Sequence, residues 1–209
     1  MKTSSDTEEL FNLITEKSIL KNTVYNKTHS AFNTIKQVVK NLSNEYHIYN
    51  KKAKNELSTS LEVKGKSEFE IDLKFGGDVL IFMMHTNVFE FPRNHEVLRT
   101  QYVKDDPSRS YCGIINIYNF IADSFKYNRV NDIGYLIGRI FINKENHYFI
   151  EGKRELGFIY NNFGKNILDI NSVETLIKTA IKYTVNFDLL TPHYDIAKFV
   201  SVNDMKSAA

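Results

Sequence analysis

Residues 69–75 alternate strictly between apolar and charged side chains, and this pattern constrains the fold more than any other feature of the sequence. The apolar positions are Phe69, Ile71, Leu73 and Phe75. An alternation of period two is typical of a strand with one buried face. The pair Gly76-Gly77 and a second apolar run, 79–84, follow, which predicts a β-hairpin. We expect the four apolar side chains to face the core, and Glu70 and Asp72 to face water.

Helical patterns precede this hairpin. Residues 6–24 predict a first helix that Asp6 can cap, and residues 28–49 predict a second helix. Apolar and aromatic side chains recur every three or four positions in the second segment, at Phe32, Ile35, Val38, Val39, Leu42, Tyr46 and Tyr49. Such a stripe is too apolar to stay in water. We expect it to pack against the sheet or against a second copy of the chain, and the latter alternative predicts a homo-oligomer through residues 28–49.

The middle of the chain continues with shorter segments. Residues 97–104 predict a short strand, and 105–108 predict a turn. Residues 111–128 fit both a strand and a helix. The strand is favoured because isoleucine and aromatic residues dominate there.

A second hairpin is predicted over residues 133–151, with its turn at 143–146. Its strands are Tyr135–Ile142 and His147–Ile150. Residues 154–163 fit a short helix or a strand.

The C-terminal region is predicted to be helical. Residues 172–190 carry an apolar stripe at helical spacing, and Asn171 with Glu174 approximates a capping box. Pro192 ends this helix, and a short final helix is predicted over 193–201.

These segments predict an α+β fold. A mostly antiparallel sheet of about five to seven strands carries the C-terminal helix on one face. Residues 1–55 form an N-terminal helical arm and residues 56–209 form the α+β domain, and we expect the two to unfold as one cooperative unit.

Composition limits the classes of function. The 209 residues include one cysteine, so no internal disulfide is expected, and a lone thiol fits a reducing cytoplasm. The first nine residues are polar and acidic, unlike a signal peptide, and no run of about 18 apolar residues predicts a membrane span. The net charge of +2 argues against nucleic acid as a partner, despite the basic and aromatic stretch at 125–129.

No sequence motif for a dinucleotide, a P-loop, a zincin, an α/β-hydrolase or a zinc ribbon is present, and no cofactor is expected. His85, His95 and Glu96 come nearest to a set of metal ligands. Because His95 and Glu96 are adjacent, they would point to opposite faces of a strand, so ordinary histidines are favoured over a metal site. Cys112 is interpreted as a small buried side chain rather than a nucleophile.

Arg139 provides the best candidate for a site, because it is the one charge inside the apolar run 135–142. A guanidinium there must reach solvent or meet an acceptor. A two-residue loop in the second hairpin would pair Arg139 with Ile150 and leave Glu151 nearby. The functional hypothesis is a ligand-binding cluster of Arg139, His147, Glu151, Lys153 and Arg154. The alternatives are a structural pair with Glu151, or an arginine that points to solvent.

These observations favour a cytoplasmic binding or sensing module for a small molecule or a partner protein. The first alternative is an enzyme that uses an Arg, His and Glu cluster on the sheet. The second alternative is a structural subunit of a larger assembly, which an exposed apolar patch would favour.

Overall fold

The N-terminal region of the protein is one long helix. The computed structural model describes residues 5–53, 59–153, 155–158, 162–187 and 194–202. Helix α1 spans Ser5–Ala53, so the prediction of two helices with a break near residue 26 was wrong. The junction holds no glycine or proline, and the apolar stripe continues through it, so nothing in the sequence interrupts the helix. Asp6 lies within the helix rather than at its N-cap.

The strands form one antiparallel sheet, as predicted. They are β1 Leu61–Ser67, β2 Glu70–Phe75, β3 Asp78–Met84, β4 Phe89–Glu90, β5 Tyr111–Ile121, β6 Tyr135–Asn143 and β7 Tyr148–Gly152. The order across the sheet is β1-β2-β3-β5-β6-β7, and β4 pairs with the first residues of β5. Both predicted hairpins are present, as β2–β3 and β6–β7. Gly76 has a positive φ of 54°, which explains the glycine in the β2–β3 turn.

The remaining helices are α2 Gln101–Asp105, α3 Ala122–Lys126, α4 Glu155–Phe158, α5 Ile170–Val185 and α6 Tyr194–Ala197. The strand predicted for 97–104 is wrong, because α2 and a 3-10 turn at Glu96–Arg99 occupy that segment. Turns there still bury Val97 and Val103. The strand prediction for 111–128 is confirmed as far as Ile121.

Helix α5 begins and ends earlier than predicted. Its N-cap is Asp169, whose Oδ1 accepts from the Ser172 N–H at 2.7 Å, while Ser172 Oγ accepts from the Asp169 N–H at 2.9 Å. This reciprocal pair forms the capping box, so the prediction based on Asn171 and Glu174 was wrong. Pro192 lies outside the described residues.

The main core lies between the sheet and helices α1 and α5. It buries aliphatic side chains from the inner face of the strands, including Ile71, Leu73, Leu80, Phe82, Ile115, Ile117, Ile140, Ile142 and Ile150. From α1 it buries Ala31, Phe32, Ile35, Val38 and Val39. The stripe predicted over 28–49 therefore packs against the sheet of its own chain from Phe32 to Leu42, which is the first of the two alternatives, whereas Tyr49 at its end is 63% exposed.

The β2 strand departs from the expected pattern at Asp72. Ile71 and Leu73 are fully buried as predicted, whereas Phe69 and Phe75 are only partly buried at the edge of the core. Asp72 was expected to face water, but it is only 6% exposed. Lys66 crosses over from β1, with its Nζ 2.9 Å from Asp72 Oδ2 and 4.7 Å from the centre of the Phe125 ring. Burial raises the pKa of Asp72, because it disfavours the carboxylate, and the ion pair with Lys66 opposes this shift without cancelling it.

A second, smaller cluster lies on the outer face of the sheet. It contains Phe91, Val97, Val103, Cys112, Phe141, Phe149 and Phe163. The loop and turn segments at 85–110 and near residue 163 supply its cover, in place of long helices. Among the described helices, none has both the length and the apolar composition that a membrane span requires.

Candidate functional site

Three polar side chains meet on the outer face of the sheet, at the edge of the aromatic cluster. Arg139 of β6 and Glu151 of β7 are directly opposite each other in the strand register, and Arg139 Nη2 donates to Glu151 Oε2. His95 approaches from the 3-10 turn, with its Nε2 3.3 Å from Glu151 Oε1. One carboxylate therefore accepts from a guanidinium and an imidazole. We call Arg139, Glu151 and His95 the polar trio.

The register of the β6–β7 hairpin decides this pairing. The sequence predicted a two-residue loop that places Arg139 opposite Ile150, which was wrong by one residue. The Asn143 N–H donates to the His147 carbonyl at 3.0 Å, so the loop has three residues. Asn146 provides the left-handed position in that loop, with a φ of 65°. The extra residue places Glu151 on the same face as Arg139.

His95 is held in one tautomer by its two contacts. Its Nδ1 accepts from the Val97 N–H at 3.2 Å, so Nε2 carries the proton that is donated to Glu151 in the neutral ring. The imidazole also stacks on Phe91, with 4.5 Å between the ring centres. Both nitrogens are thus engaged within the protein. Such a histidine positions its neighbours and is not placed as a general base.

Arg139 retains unused hydrogen-bonding capacity. Its side chain is 42% exposed, and its guanidinium carbon lies 5.4 Å from the centre of the Phe141 ring. Among the described residues, only Glu151 accepts a hydrogen bond from it. Asn116 lies directly across from Arg139 on β5, and its buried Oδ1 has no donor within the described part of the chain.

Two clefts open on either side of the polar trio. The smaller holds about 220 Å³ and is lined by Phe89, Glu90, Phe91, Pro92, His95, Cys112, Ile114, Arg139, Phe141 and Glu151. The larger holds about 720 Å³ and is lined by Asn94, His95, Glu96, Val97, Thr100, Phe149, Ile150, Glu151, Gly152, Gly157 and Phe163. His95 and Glu151 belong to both clefts. The trio therefore forms a polar ridge between two spaces that have aromatic walls.

A hydrogen-bond network fixes the loop that carries His95 and α2. Tyr102 of α2 donates to Glu145 at 2.7 Å and accepts from Asn143 Nδ2 at 2.8 Å. Arg109 completes the link, because it donates to Glu145 at 3.0 Å and to the Tyr102 carbonyl at 2.9 Å. Burial raises the pKa of Tyr102 well above its usual range, so the phenol stays neutral and acts as a donor.

A second link joins the same loop to the β6–β7 turn. Lys144 Nζ lies 2.6 Å from Asp106 Oδ2 and 2.6 Å from Ser108 Oγ. The hydrogen bond from Lys144, together with those from Ser108, lowers the pKa of Asp106 to about 2. The loop is thus tied to the strands that carry Arg139 and Glu151.

The other predicted site residues lie elsewhere or outside the described chain. His147 stacks on Tyr102 with 5.0 Å between the ring centres, and its Nδ1 lies 3.0 Å from the Phe163 carbonyl oxygen. It therefore belongs to the contacts that fix the loop carrying α2, and not to the polar trio. The Lys153 side chain is exposed, and its N–H donates to the Ile137 carbonyl at 2.9 Å. Arg154 lies outside the described residues. Sequence reasoning missed the contact between His95 and Glu151, since no local pattern links residues 56 positions apart.

The cysteine and histidine side chains near the clefts are poorly placed to react with a ligand. Cys112 lines the smaller cleft but is 1% exposed, and burial raises the pKa of its thiol far above the usual range, which disfavours the nucleophilic thiolate. His85 Nδ1 accepts from the Asn87 N–H at 3.0 Å, and the His85 ring packs edge-on against Phe89. Within the described ranges, no three His, Cys, Asp or Glu side chains are grouped closely enough to hold a metal ion.

A third groove lies on the opposite face of the sheet. It holds about 600 Å³ between the C-terminal part of α1, helix α5 and strands β1 and β2. Its lining is mostly apolar and includes no basic side chain among the described residues. Its polar lining consists of Glu45, Asp78, Tyr46, Tyr49 and Thr59, so it offers no cationic donor comparable to Arg139.

Comparison of the chain with models of protein families, with curated proteins and with solved structures gave no match.

Proposed function

We propose that this protein is a binding module that holds a small molecule in the clefts on the outer face of its sheet. The observation that carries the proposal is the position of the polar trio, on the ridge between two clefts with aromatic walls. Ligand sites in proteins combine apolar walls with a few converging polar groups, in volumes of about 300–1,000 Å³. The larger cleft, at about 720 Å³, falls in that range. Arg139 lines the smaller cleft, at about 220 Å³, so the head group that it binds must be small and the rest of the ligand extends past His95 and Glu151 into the larger cleft.

The chemistry of the trio suggests the kind of ligand. Glu151 already accepts from two donors, whereas Arg139 has further N–H groups to donate. The ligand should therefore present a hydrogen-bond acceptor to Arg139 and an apolar ring or chain to the phenyl walls. Glu90 and Glu151 lie in the smaller cleft as well, and their charges oppose a strongly anionic ligand. A neutral carbonyl or amide group meets these requirements.

Binding is favoured over catalysis because the candidate catalytic groups are engaged or suppressed. His95 has both nitrogens bonded, and the thiol of Cys112 is kept neutral by burial. We further propose that the protein works in the cytoplasm, since the lone buried cysteine suits a reducing compartment. Fractionation of intact cells tests this second point, and recovery of the chain chiefly outside the cytoplasm would contradict it.

Two experiments test the binding proposal. Native mass spectrometry of freshly purified protein reports any retained small molecule. NMR titration then compares benzamide, benzoate and benzamidine, which share one ring and differ in the charge of the head group. We expect benzamide to bind most tightly and to shift amide resonances around both clefts.

The matched variants are Arg139→Lys and Arg129→Lys. The first removes the planar fork while keeping the charge, and the second makes the same change at an exposed position away from the clefts. Only Arg139→Lys should weaken benzamide binding. Absence of a retained molecule together with absence of probe binding at the clefts would contradict the proposal, as would equal effects of the two variants.

A further inference from the structure

The groove between the end of α1 and helix α5 has the size of a ligand site, and we call it the α1–α5 groove. It holds about 600 Å³, within the range of roughly 300–1,000 Å³ that small-molecule sites have. Its apolar walls are Leu42, Leu61, Phe75, Ile181 and Val185. Among the described residues, none that lines this groove also lines the clefts beside the polar trio. A ligand bound here is therefore independent of the function proposed above.

Two tyrosine rings lie on the α1 side of the groove. Tyr46 and Tyr49 are one helical turn apart, with 6.3 Å between their ring centres and an angle of 32° between the ring planes. Tyr49 is 63% exposed, so its ring is open to a ligand. The face of an aromatic ring attracts a cation that lies within about 6 Å of the ring centre. One cation placed beside both rings can meet this condition for each of them.

The charged side chains in the described lining, Glu45 and Asp78, are both acidic. Glu45 precedes Tyr49 by four residues, so the two side chains lie on the same side of α1. Within the described residues, no cation forms an ion pair with Glu45. Lys178 of α5 feels the charge of Glu45, but its ammonium group donates to Glu174 instead.

The other lysines near the groove do not belong to its lining. Lys52 lies one turn beyond Tyr49 on α1, and Lys182 lies on α5, and both are exposed to water. Lys74 of β2 has the outward orientation of Asp72, on the other face of the sheet. Water and salt screen exposed charges, whereas a ligand in the groove contacts the lining directly. The lining therefore favours a positively charged ligand.

The remaining polar groups of the lining are already bonded within the protein. Tyr46 Oη lies 3.2 Å from Thr59 Oγ1, and the Thr59 carbonyl accepts from Asn50 Nδ2 at 2.9 Å. The Leu61 carbonyl accepts from Ser43 Oγ at 2.5 Å. A primary ammonium group brings three N–H donors that each need an acceptor, and few acceptors remain here. A quaternary ammonium group has no N–H donor and suits aromatic surroundings.

We propose that the α1–α5 groove binds a quaternary ammonium compound that carries an apolar ring or chain. The head group lies against the rings of Tyr46 and Tyr49 with the Glu45 carboxylate beside it, and the apolar part contacts Phe75 and Ile181. A neutral ligand would fill the walls but leave the acidic lining without a counter-charge. An anionic ligand would be repelled by the same carboxylates.

NMR titration with three compounds that share a benzyl group tests the proposal. Benzyltrimethylammonium, protonated benzylamine and benzyl alcohol present a quaternary, a primary and a neutral head group. We expect benzyltrimethylammonium to bind most tightly and to shift the amide resonances of Tyr46, Tyr49 and Val185. The resonances of His95 and Glu151 should not shift, which separates this site from the clefts on the outer face. Binding of benzyl alcohol or benzylamine as tight as that of benzyltrimethylammonium would overturn the proposal, and so would an absence of shifts at the groove.

Matched variants test the contacts of the head group. Tyr49→Leu removes an exposed ring but keeps an apolar side chain, and Glu45→Gln removes a charge but keeps the shape. Each should weaken the binding of benzyltrimethylammonium by about threefold or more. Tyr127→Leu and Glu16→Gln make the same changes at exposed positions outside the groove and should leave binding unchanged. Circular dichroism should show the same fold for all four variants, because these side chains are exposed. Equal binding by the groove variants and their controls would show that the proposal is wrong.

Discussion

The two faces of the sheet use the same strands for different purposes. On the inner face, Ile71, Ile140 and their neighbours are buried beneath helices α1 and α5, and the groove on that face lies at its margin, beside β1 and the end of α1. On the outer face, short turns and loops cover an aromatic cluster incompletely, and Arg139 and Glu151 lie at its margin. The inner face thus provides most of the stability, and the outer face provides the clefts beside the polar trio.

The largest difference between the faces is expected at Ile71. Its side chain is 1% exposed in the middle of the main core. Ile71→Ala should lower the free energy of unfolding by roughly 2–5 kcal/mol, because it removes buried methyl groups and leaves a cavity. Chemical denaturation measures the loss. The control Val130→Ala, at an 80% exposed position, should change stability by less than about 0.5 kcal/mol.

Gly113 tests how closely the inner face is packed. A Cβ at this position would lie 2.1 Å from Thr28 Oγ1 and 2.7 Å from Thr28 Cβ, where α1 crosses β5. Gly113→Ala should therefore destabilise the fold by about 1–3 kcal/mol, because the helix must move away from the strand. Gly65→Ala is the control, since no atom lies within 4 Å of a Cβ built there. Similar thermal melts for the two variants would show that α1 does not approach β5 so closely.

The ion pair on the outer face should contribute much less. Arg139 and Glu151 are 42% and 37% exposed, so water and salt screen their interaction. A double-mutant cycle with Arg139→Lys and Glu151→Gln should give a coupling of about 0.2–1 kcal/mol. Glu151→Gln should cost more than Arg139→Lys, because it also weakens the contact with His95. A coupling as large as the loss at Ile71 would remove the distinction between the two faces.

The smallest expected effect concerns Asp72, a carboxyl group that is buried on the outer face of the sheet. Its contribution should be seen in how the stability of the protein depends on pH. Burial raises its pKa in the folded protein above the ordinary value of 3.8. The folded state then holds the proton more tightly than the unfolded state, so stability is greatest below the ordinary pKa and falls as pH rises through the shifted value. Asp72→Asn should remove this part of the pH dependence. Equilibrium unfolding at a series of pH values from acidic to neutral measures the free energy of unfolding of the unmodified protein and of Asp72→Asn. If the two free energies change with pH in the same way, the pKa of Asp72 is not raised.

The sequence determined most of the secondary structure and the fold class. The alternation in 69–75, the apolar run 135–142 and the helical stripe after residue 171 are local patterns, and the structure contains the corresponding hairpins and helix. The antiparallel α+β arrangement follows, because short turns join neighbouring strands and each has an apolar face to bury. The strand prediction for 97–104 was wrong, because a 3-10 turn and helix α2 bury Val97 and Val103, the same valines that a strand would bury.

Only the tertiary structure decided which polar groups meet and which surfaces are covered. Asn146 adopts the conformation that places Arg139 opposite Glu151, and the fold brings His95 to that carboxylate from a distant segment. The sequence shows that a residue is polar or apolar, but not whether another element covers it. Asp72 is covered by Lys66, and the first turns of α1 are uncovered, although both belong to regular patterns. Burial depends on contacts between distant parts of the chain, so periodicity alone does not specify it.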